Sequence, residues 1–165
     1  MLVRALTRIR HGRLKSFRII WSMMRPIYRL GIKFTPEATA SKRIGKYGPF
    51  KLDRRFAFSN FEAWGKQHNR GFEACIEASR GMKCVFDIGA HIGLVSIPMS
   101  TVIAKEGMVY AFEPAKTNVK FLSRHLHENQ IKNVTVVTDL LGEHELESVD
   151  FYESNDDSGM NTIAI

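Results

Sequence analysis

The sequence is poor in cysteine, in long apolar runs and, near its N-terminus, in acidic residues. Its 165 residues include two cysteines, Cys75 and Cys84, which are too few for a disulfide framework and lack metal-ligand spacing. We expect both thiols to be reduced and buried, as in a cytoplasmic protein. No apolar run reaches the length of a membrane span. Charged residues interrupt every apolar segment near the N-terminus, which disfavours a secretory signal.

Acidic residues are almost missing from residues 1–60, which hold 15 Lys and Arg against two Asp and Glu. Residues 61–165 hold 9 Lys and Arg against 15 Asp and Glu. The net charge of +7 therefore combines a strongly basic leader with a mildly acidic body. Within residues 1–40, apolar residues recur at three- and four-residue steps between the cations, which predicts a basic amphipathic helical extension.

Several roles are open for this basic extension. It either docks on the acidic body or frays in solution, or it lies on an anionic membrane surface through residues 1–34. Its composition also resembles that of an organelle transit peptide. Basic residues bind nucleic acid phosphates as well, but no recognised module surrounds them, so we do not expect a nucleic acid partner. The expected location is the cytoplasm, with peripheral contact to a membrane left open.

Residues 41–83 form a connecting region, in which Gly45 and the Gly48–Pro49 pair punctuate short extended pieces. We predict a hairpin from strands over 50–52 and 55–58, followed by a helical segment that ends at a glycine.

Residues 84–165 alternate apolar strands with amphipathic helices. The runs CVFDI, MVYAF and NVTVVT are short and continuously apolar, as in strands buried on both faces of a parallel sheet. The segments LVSIPMSTVIAKEG and AKTNVKFLSRHLHENQ lie between them and have helical patterning. This order predicts a doubly wound, Rossmann-like α/β sheet. Since only about three core strands precede a hairpin at 149–153, we expect the sheet to be C-terminally incomplete.

The stretch VFDIGAHIG ends the first of these strands and carries Asp87, Gly89 and Gly93. Ligands of such sheets bind beyond the carboxyl ends of the strands. Gly89 allows a sharp turn there, and Gly93 lets the following helix pass closely. Glu113 ends the neighbouring strand, where a carboxylate can accept both hydroxyls of a ribose. The pattern predicts a site for a nucleoside-like cofactor.

The glycine spacing and Asp87 distinguish between possible cofactors. The spacing is G-x-x-x-G rather than the dinucleotide fingerprint G-x-G-x-x-G, and an anion in this position would repel a pyrophosphate. Beside an ammonium or a sulfonium the same anion is favourable. These features indicate S-adenosylmethionine, although Asp87 could instead merely cap local amides.

Four segments, FDIGAHIG, VYAFEPAKTNVKFLSRHLHEN, VTVVTDLLGE and GMNT, resemble the FkbM-type family of class I S-adenosylmethionine-dependent methyltransferases. The resemblance covers residues 70–165 and implies O-methylation of a saccharide, lipid or secondary-metabolite hydroxyl. It implies that the glycine loop wraps the methionine part of the cofactor, that the acid of the FEP segment holds the ribose, and that the residues after the third strand border the adenine. The cofactor-binding positions so implied are Asp87, Gly89, Ala90, His91, Gly93, Glu113, Asp139 and Leu140.

FkbM-type proteins usually continue into a lysine- and acid-bearing segment similar to IKIDVEG, and nothing here matches it. We therefore expect either a fragment of a longer protein or a relative that binds without turnover. We identify no general base and no metal site; for His91 we expect backbone contacts, and His125 and His127 are expected on a solvated face. Two other functions stay open: a noncatalytic or membrane-associated module that works through the basic extension, and a dinucleotide oxidoreductase, which the glycine spacing disfavours.

Overall fold

The computed structural model describes residues 38–57, 59–63, 70–144, 149–152 and 162–163. Most of the predicted basic extension and the middle of the predicted helical segment before residue 84 lie outside these residues. The chain divides into two compact units, Met1–Ala63 and Trp64–Ile165. Within the described ranges, no helix has both the length and the apolar character needed to cross a bilayer.

The described part of the first unit is built around an antiparallel hairpin of β1 (Thr39–Ile44) and β2 (Tyr47–Asp53). The turn between them begins at Gly45, whose φ of 55° suits a glycine. The buried side chains of the hairpin include Ile44, Phe50 and Leu52. A hairpin in this region was predicted, but its strands begin earlier than the sequence indicated.

The predicted strand over 55–58 is wrong, because Arg54–Phe56 forms a 3-10 helix. The cause is the buried side chain of Asp53, whose Oδ1 accepts a hydrogen bond of 2.9 Å from the backbone amide of Arg55. An acid that caps the next turn ends the strand before it.

The second unit contains a three-stranded parallel sheet in the order β3-β4-β5. Its strands are β3 (Cys84–Ile88), β4 (Met108–Phe112) and β5 (Val134–Val137). The described helices are α1 (Arg70–Ala78), α2 (Ser96–Val102) and α3 (Lys116–Glu128). A short antiparallel pair follows, β6 (Phe151–Tyr152) with β7 (Thr162–Ile163). The alternating parallel strands and helices confirm the predicted Rossmann-like α/β fold.

The sheet has one covered face and one exposed face. The connection through α2 and the connection through α3 advance in the same direction, and right-handed crossovers of this kind place both helices on one face. Val109 and Ala111 point to that face and are fully buried. Phe86 and Ile88 point to the other face and are 62% and 70% exposed. The expectation that β3 is buried on both faces is therefore wrong for the part of the chain described.

The two cysteines are also more accessible than predicted. Cys84 lies on the exposed face of β3, and Cys75 is exposed on α1. Neither thiol forms a disulfide, as expected, but the prediction that both are buried is wrong.

α2 is shorter than the predicted helical segment, and neither α2 nor α3 has a side-chain hydrogen bond from its own N-cap residue, Val95 or Ala115. α2 starts at Ser96, and Pro98 falls within its first turn, between the amides of Ile97 and Met99, which donate to the carbonyls of Gly93 and Val95. α3 follows the predicted range and buries its apolar stripe against the sheet, including Leu122 and Leu126. His125 is buried in the same stripe, so the prediction that it lies on a solvated face is wrong.

Gly93 allows Leu122 of α3 to pack against the backbone just before α2. Its φ is 91°, and a Cβ at this position would lie 2.6 Å from Cδ1 of Leu122. Gly81 provides a matched control, because its φ is 72° but a Cβ there would meet nothing within 4 Å.

We expect Gly93→Ala to destabilise the protein by about 2–5 kcal/mol, because it adds overpacking to backbone strain. Gly81→Ala should cost about 1–2 kcal/mol from strain alone. Urea unfolding measures both, and equal losses would contradict the packing role.

Candidate cofactor-binding site

The residues between β3 and α2 form a tight turn that we call the glycine loop, residues 89–93. The backbone amides of Gly89 and Ala90 both donate to the carbonyl of Phe112, each at 2.9 Å. The amide of Gly93 donates to the carbonyl of Ala90 at 2.8 Å. Gly89 and His91 have φ values of 82° and 52°, so the loop turns twice through left-handed conformations. These bonds fold the loop onto the end of β4.

Glu113 joins the glycine loop to the start of α3. Its side chain is only 5% exposed. Oε2 accepts a hydrogen bond of 2.8 Å from the amide of His91. Oε1 accepts from the amide of Ala115 at 3.0 Å and from Nδ2 of Asn118 at 3.1 Å. Because a carboxylate has about four acceptor sites, these three donors leave space for about one more donor rather than for both hydroxyls of a ribose.

Asp87 lies on the covered face of β3 and is fixed by the first residue of α2. The hydroxyl of Ser96 donates to Oδ2 of Asp87, and the backbone amide of Ser96 also hydrogen-bonds to this carboxyl. Burial raises the pKa of Asp87 above its ordinary value, the hydrogen bonds from Ser96 oppose this, and the negative charge of Glu113 adds to it. Asp87 therefore caps α2, as the alternative interpretation supposed, and its charge also acts on the same small region as that of Glu113.

Two histidines belong to this region, His91 within the glycine loop and His125 in contact with it. Burial lowers the pKa of His91, and the charge of Glu113 opposes that shift, so burial favours the neutral imidazole. The buried His125 of α3 contacts the loop, with its Nδ1 2.9 Å from the carbonyl oxygen of Ile92. Because a carbonyl only accepts, Nδ1 carries the proton in this contact.

The loop directs its hydrogen-bond donors into the protein. The amides of Gly89, Ala90, His91 and Gly93 all donate to protein oxygens. A phosphate bound at such a turn would need amides that point outward. Metal binding is not indicated either, since no group of three or more His, Cys, Asp or Glu side chains within the described ranges is arranged around a common point.

Comparison with known proteins gives matches only at the level of three-dimensional structure. No family model matches the chain. A search of curated proteins found no match. Three similar solved structures are an rRNA methylase from Streptococcus thermophilus, a SAM dependent methyltransferase from Aquifex aeolicus and M. jannaschii TYW2 in complex with AdoMet.

The similarity to these three structures is partial. The identities are 18%, 24% and 26%, and the TM-scores are 0.38, 0.37 and 0.40. The matches cover 43%, 42% and 53% of this chain and 41%, 38% and 37% of the other chains. The chain thus spans less than half the length of each of these proteins.

The structure brings most of the predicted site residues to one edge of the sheet. Asp87, the glycine loop and Glu113 lie at the carboxyl ends of the adjacent strands β3 and β4. Asp139 and Leu140 follow β5, on the far side of β4 from the loop. Asp139 is exposed and Leu140 is partly buried.

Three residues at this edge were not predicted as parts of the site: Ser96, Asn118 and His125. For Ser96 a signal was present, because serine and an early proline are both frequent near the start of a helix. For His125 the signal was its spacing, since it lies three residues after Leu122 on the buried stripe of α3.

The raised pKa of Asp87 predicts a pH-dependent stability. The folded protein binds the proton of Asp87 more tightly than the unfolded chain does. The free energy of unfolding therefore falls as pH rises from the ordinary pKa of 3.8 to the folded-state pKa. Above the folded-state pKa this loss of stability stays constant. Asp87→Asn removes this contribution. We expect the variant to gain stability relative to wild type as pH rises from about 4 to 7, measured by urea unfolding. The exposed Asp139→Asn is the control. Parallel curves for Asp87→Asn and wild type would contradict the burial of this charge.

Proposed function

We propose that this chain is part of an S-adenosylmethionine-dependent methyltransferase of the FkbM type. The observation that carries the proposal is the inward direction of four amides in the glycine loop. A pyrophosphate would find few donors there and would be repelled by Asp87. A ligand with a positively charged sulfur and an ammonium needs no such donors and is attracted by the same carboxylate. This supports the methyl donor over a dinucleotide.

The backbone geometry supports a ligand close to the loop. A Cβ built on Gly89 would meet no atom within 4 Å, so open space adjoins the backbone at this residue. The methionine part of the cofactor would lie against the loop and Asp87, and Glu113 would accept one hydroxyl of the ribose. We assign the adenine to the residues that follow β5. The proposed binding residues are Asp87, Gly89, Ala90, His91, Gly93, Glu113, Asp139 and Leu140.

The bound cofactor would supply a methyl group that its positive sulfur already activates. The task of this chain is then to bind and orient, and alignment of two reactants can lower a barrier by about 7–11 kcal/mol. Asp87 contributes a negative charge held in place by Ser96. Glu113 fixes the loop through the amide of His91. We assign no residue of the chain as the general base.

For the acceptor we propose a hydroxyl of a saccharide, lipid or secondary metabolite. The support is the likeness of the sequence segments to FkbM-type enzymes.

The charge of the first unit supports contact with an anionic membrane, because residues 38–57 carry six Lys and Arg and a single acid. Cations near anionic headgroups each contribute about 1 kcal/mol. We therefore propose peripheral contact with an anionic membrane through residues 1–34 together with the hairpin.

Calorimetry with S-adenosylmethionine and with NAD tests the cofactor. We expect the full-length protein to bind the methyl donor and not NAD. Asp87→Asn should weaken binding of the donor about tenfold or more, because hydrogen bonds and ion pairs that involve a charged group contribute about 1.5–3 kcal/mol. Glu106→Gln is the matched control, since Glu106 is exposed and precedes β4 at the opposite edge of the sheet. Absence of binding by wild type, or an equal affinity of the two variants, would refute the proposed site.

Liposome flotation tests the membrane contact. Vesicles with anionic lipids should carry the intact protein upward more efficiently than neutral vesicles, and added salt should weaken this because surface charge is screened. A chain that lacks residues 1–34 should float less. Equal flotation of the two chains would remove the proposed role of this segment, and competition by RNA at equal charge would indicate a general polyanion surface instead.

A further inference from the structure

His125 is a buried polar side chain that the proposed function does not use. It is 0% exposed and lies in the last turns of α3, among the apolar residues of the stripe. Its Nδ1 lies 2.9 Å from the carbonyl oxygen of Ile92 in the glycine loop. Ile92 is itself buried. A carbonyl in such a place needs a donor, because an unsatisfied buried acceptor is unfavourable.

Two of the contacts that hold the loop come from residues near the two ends of α3. Glu113, just before α3, accepts the hydrogen bond from the amide of His91. His125, twelve residues further along, donates to the carbonyl of Ile92. The two contacted residues are neighbours in sequence, so Glu113 and His125 bind the loop on the two sides of the peptide bond between His91 and Ile92.

These two hydrogen bonds lie beside a residue, His91, whose backbone conformation is unfavourable. His91 has a φ of 52° although it is not a glycine. A non-glycine residue persists in this region only when surrounding interactions fix it. The amide of His91 and the carbonyl of Ile92 are such interactions, and they flank the left-handed turn directly.

We propose that His125 is a positioning residue, which holds the glycine loop in its ligand-ready shape through the carbonyl of Ile92. Its influence on the methyl donor rests on the proposed function; its influence on the loop does not. The competing explanation is that the ring merely fills the core, where it lies 6.3 Å from the ring of Phe121. Filling requires volume only, whereas positioning requires an N–H group.

Two substitutions separate these explanations. Asn and Leu both branch at Cγ, but only Asn keeps an N–H near the position of Nδ1. If His125 only fills space, His125→Leu should be at least as good as His125→Asn in every measurement, because an apolar side chain suits the core better. If His125 positions the loop, His125→Asn should bind S-adenosylmethionine more tightly than His125→Leu, although His125→Leu remains at least as stable as His125→Asn.

The expected results are specific to the loop. In His125→Leu the dissociation constant for S-adenosylmethionine should rise about tenfold, as for one lost hydrogen bond to a buried group, and in His125→Asn it should stay within about threefold of wild type. Hydrogen exchange of the amides of His91 and Gly93 should accelerate in the leucine variant and not in the asparagine variant. His127→Leu, at an exposed site on the same helix, should change neither quantity.

Equal affinities and equal loop exchange in the two variants, or affinities that follow urea stability, would overturn the proposal. If wild type fails to bind the methyl donor, the proposed function is refuted, while loop exchange still decides the role of His125. If the leucine variant does not fold, His125→Gln replaces it, because its N–H lies one bond further from the backbone. We then expect His125→Gln to show the same loss of affinity relative to His125→Asn. Equal affinities of the glutamine and asparagine variants would contradict the positioning role.

Discussion

The buried carboxylate of Glu113 receives hydrogen bonds from the glycine loop, from the backbone at the start of α3 and from the side chain of Asn118. A carboxylate removed from water is very unfavourable unless donors surround it, and here the donors belong to segments that are far apart in sequence. The side chain of Glu113 therefore links the end of β4, the loop after β3 and the beginning of α3 at the candidate site.

The same contacts determine which charge the site favours. Loop amides that bond to Phe112 and Glu113 are no longer available to a ligand, and the carboxyl of Asp87 stands close by. Many Rossmann-like sheets use the same place to hold phosphate with outward amides. In this chain four amides of the glycine loop donate to protein oxygens, and the carboxylates of Asp87 and Glu113 lie at the same edge of the sheet. This arrangement is the basis on which we propose a cationic nucleoside as the ligand.

Much of this arrangement was predictable, because strand and helix periods are local properties of the sequence. The alternation of apolar runs with amphipathic segments indicated a parallel α/β sheet, and parallel strands necessarily bring their carboxyl ends to one edge, which placed Asp87 near Glu113. The hairpin of the first unit was found with shifted strands, since its end depends on the side chain of Asp53 capping the next turn. Whether Glu113 and Asp87 bind a cofactor stays a prediction.

What the sequence did not reveal depends on tertiary partners. The run CVFDI was compatible with burial on both faces, but the direction of the two crossovers decides which face the helices cover, and Phe86 is left exposed. The buried position of His125 was readable from helical spacing, but not its partner Ile92, because no local pattern links a helix to a loop 33 residues earlier. The capping of α2 by Asp87 was weighed as an alternative to a ligand role, and the structure shows that the residue does cap.

The alternation of side chains along β3 also protects the pairing of the sheet. Asp87 lies opposite the small, buried Ala111, between Phe86 and Ile88, which point to the other face. If β3 slipped by one residue against β4, the carboxylate would turn onto an aromatic surface, and a phenyl ring would enter the narrow space beside Ser96. Both exchanges are unfavourable, because a charge loses its hydrogen bonds and a large ring meets a packed helix. Asp87, a single acid in an apolar strand, thus favours the observed register of β3 against β4, and this effect does not depend on any ligand.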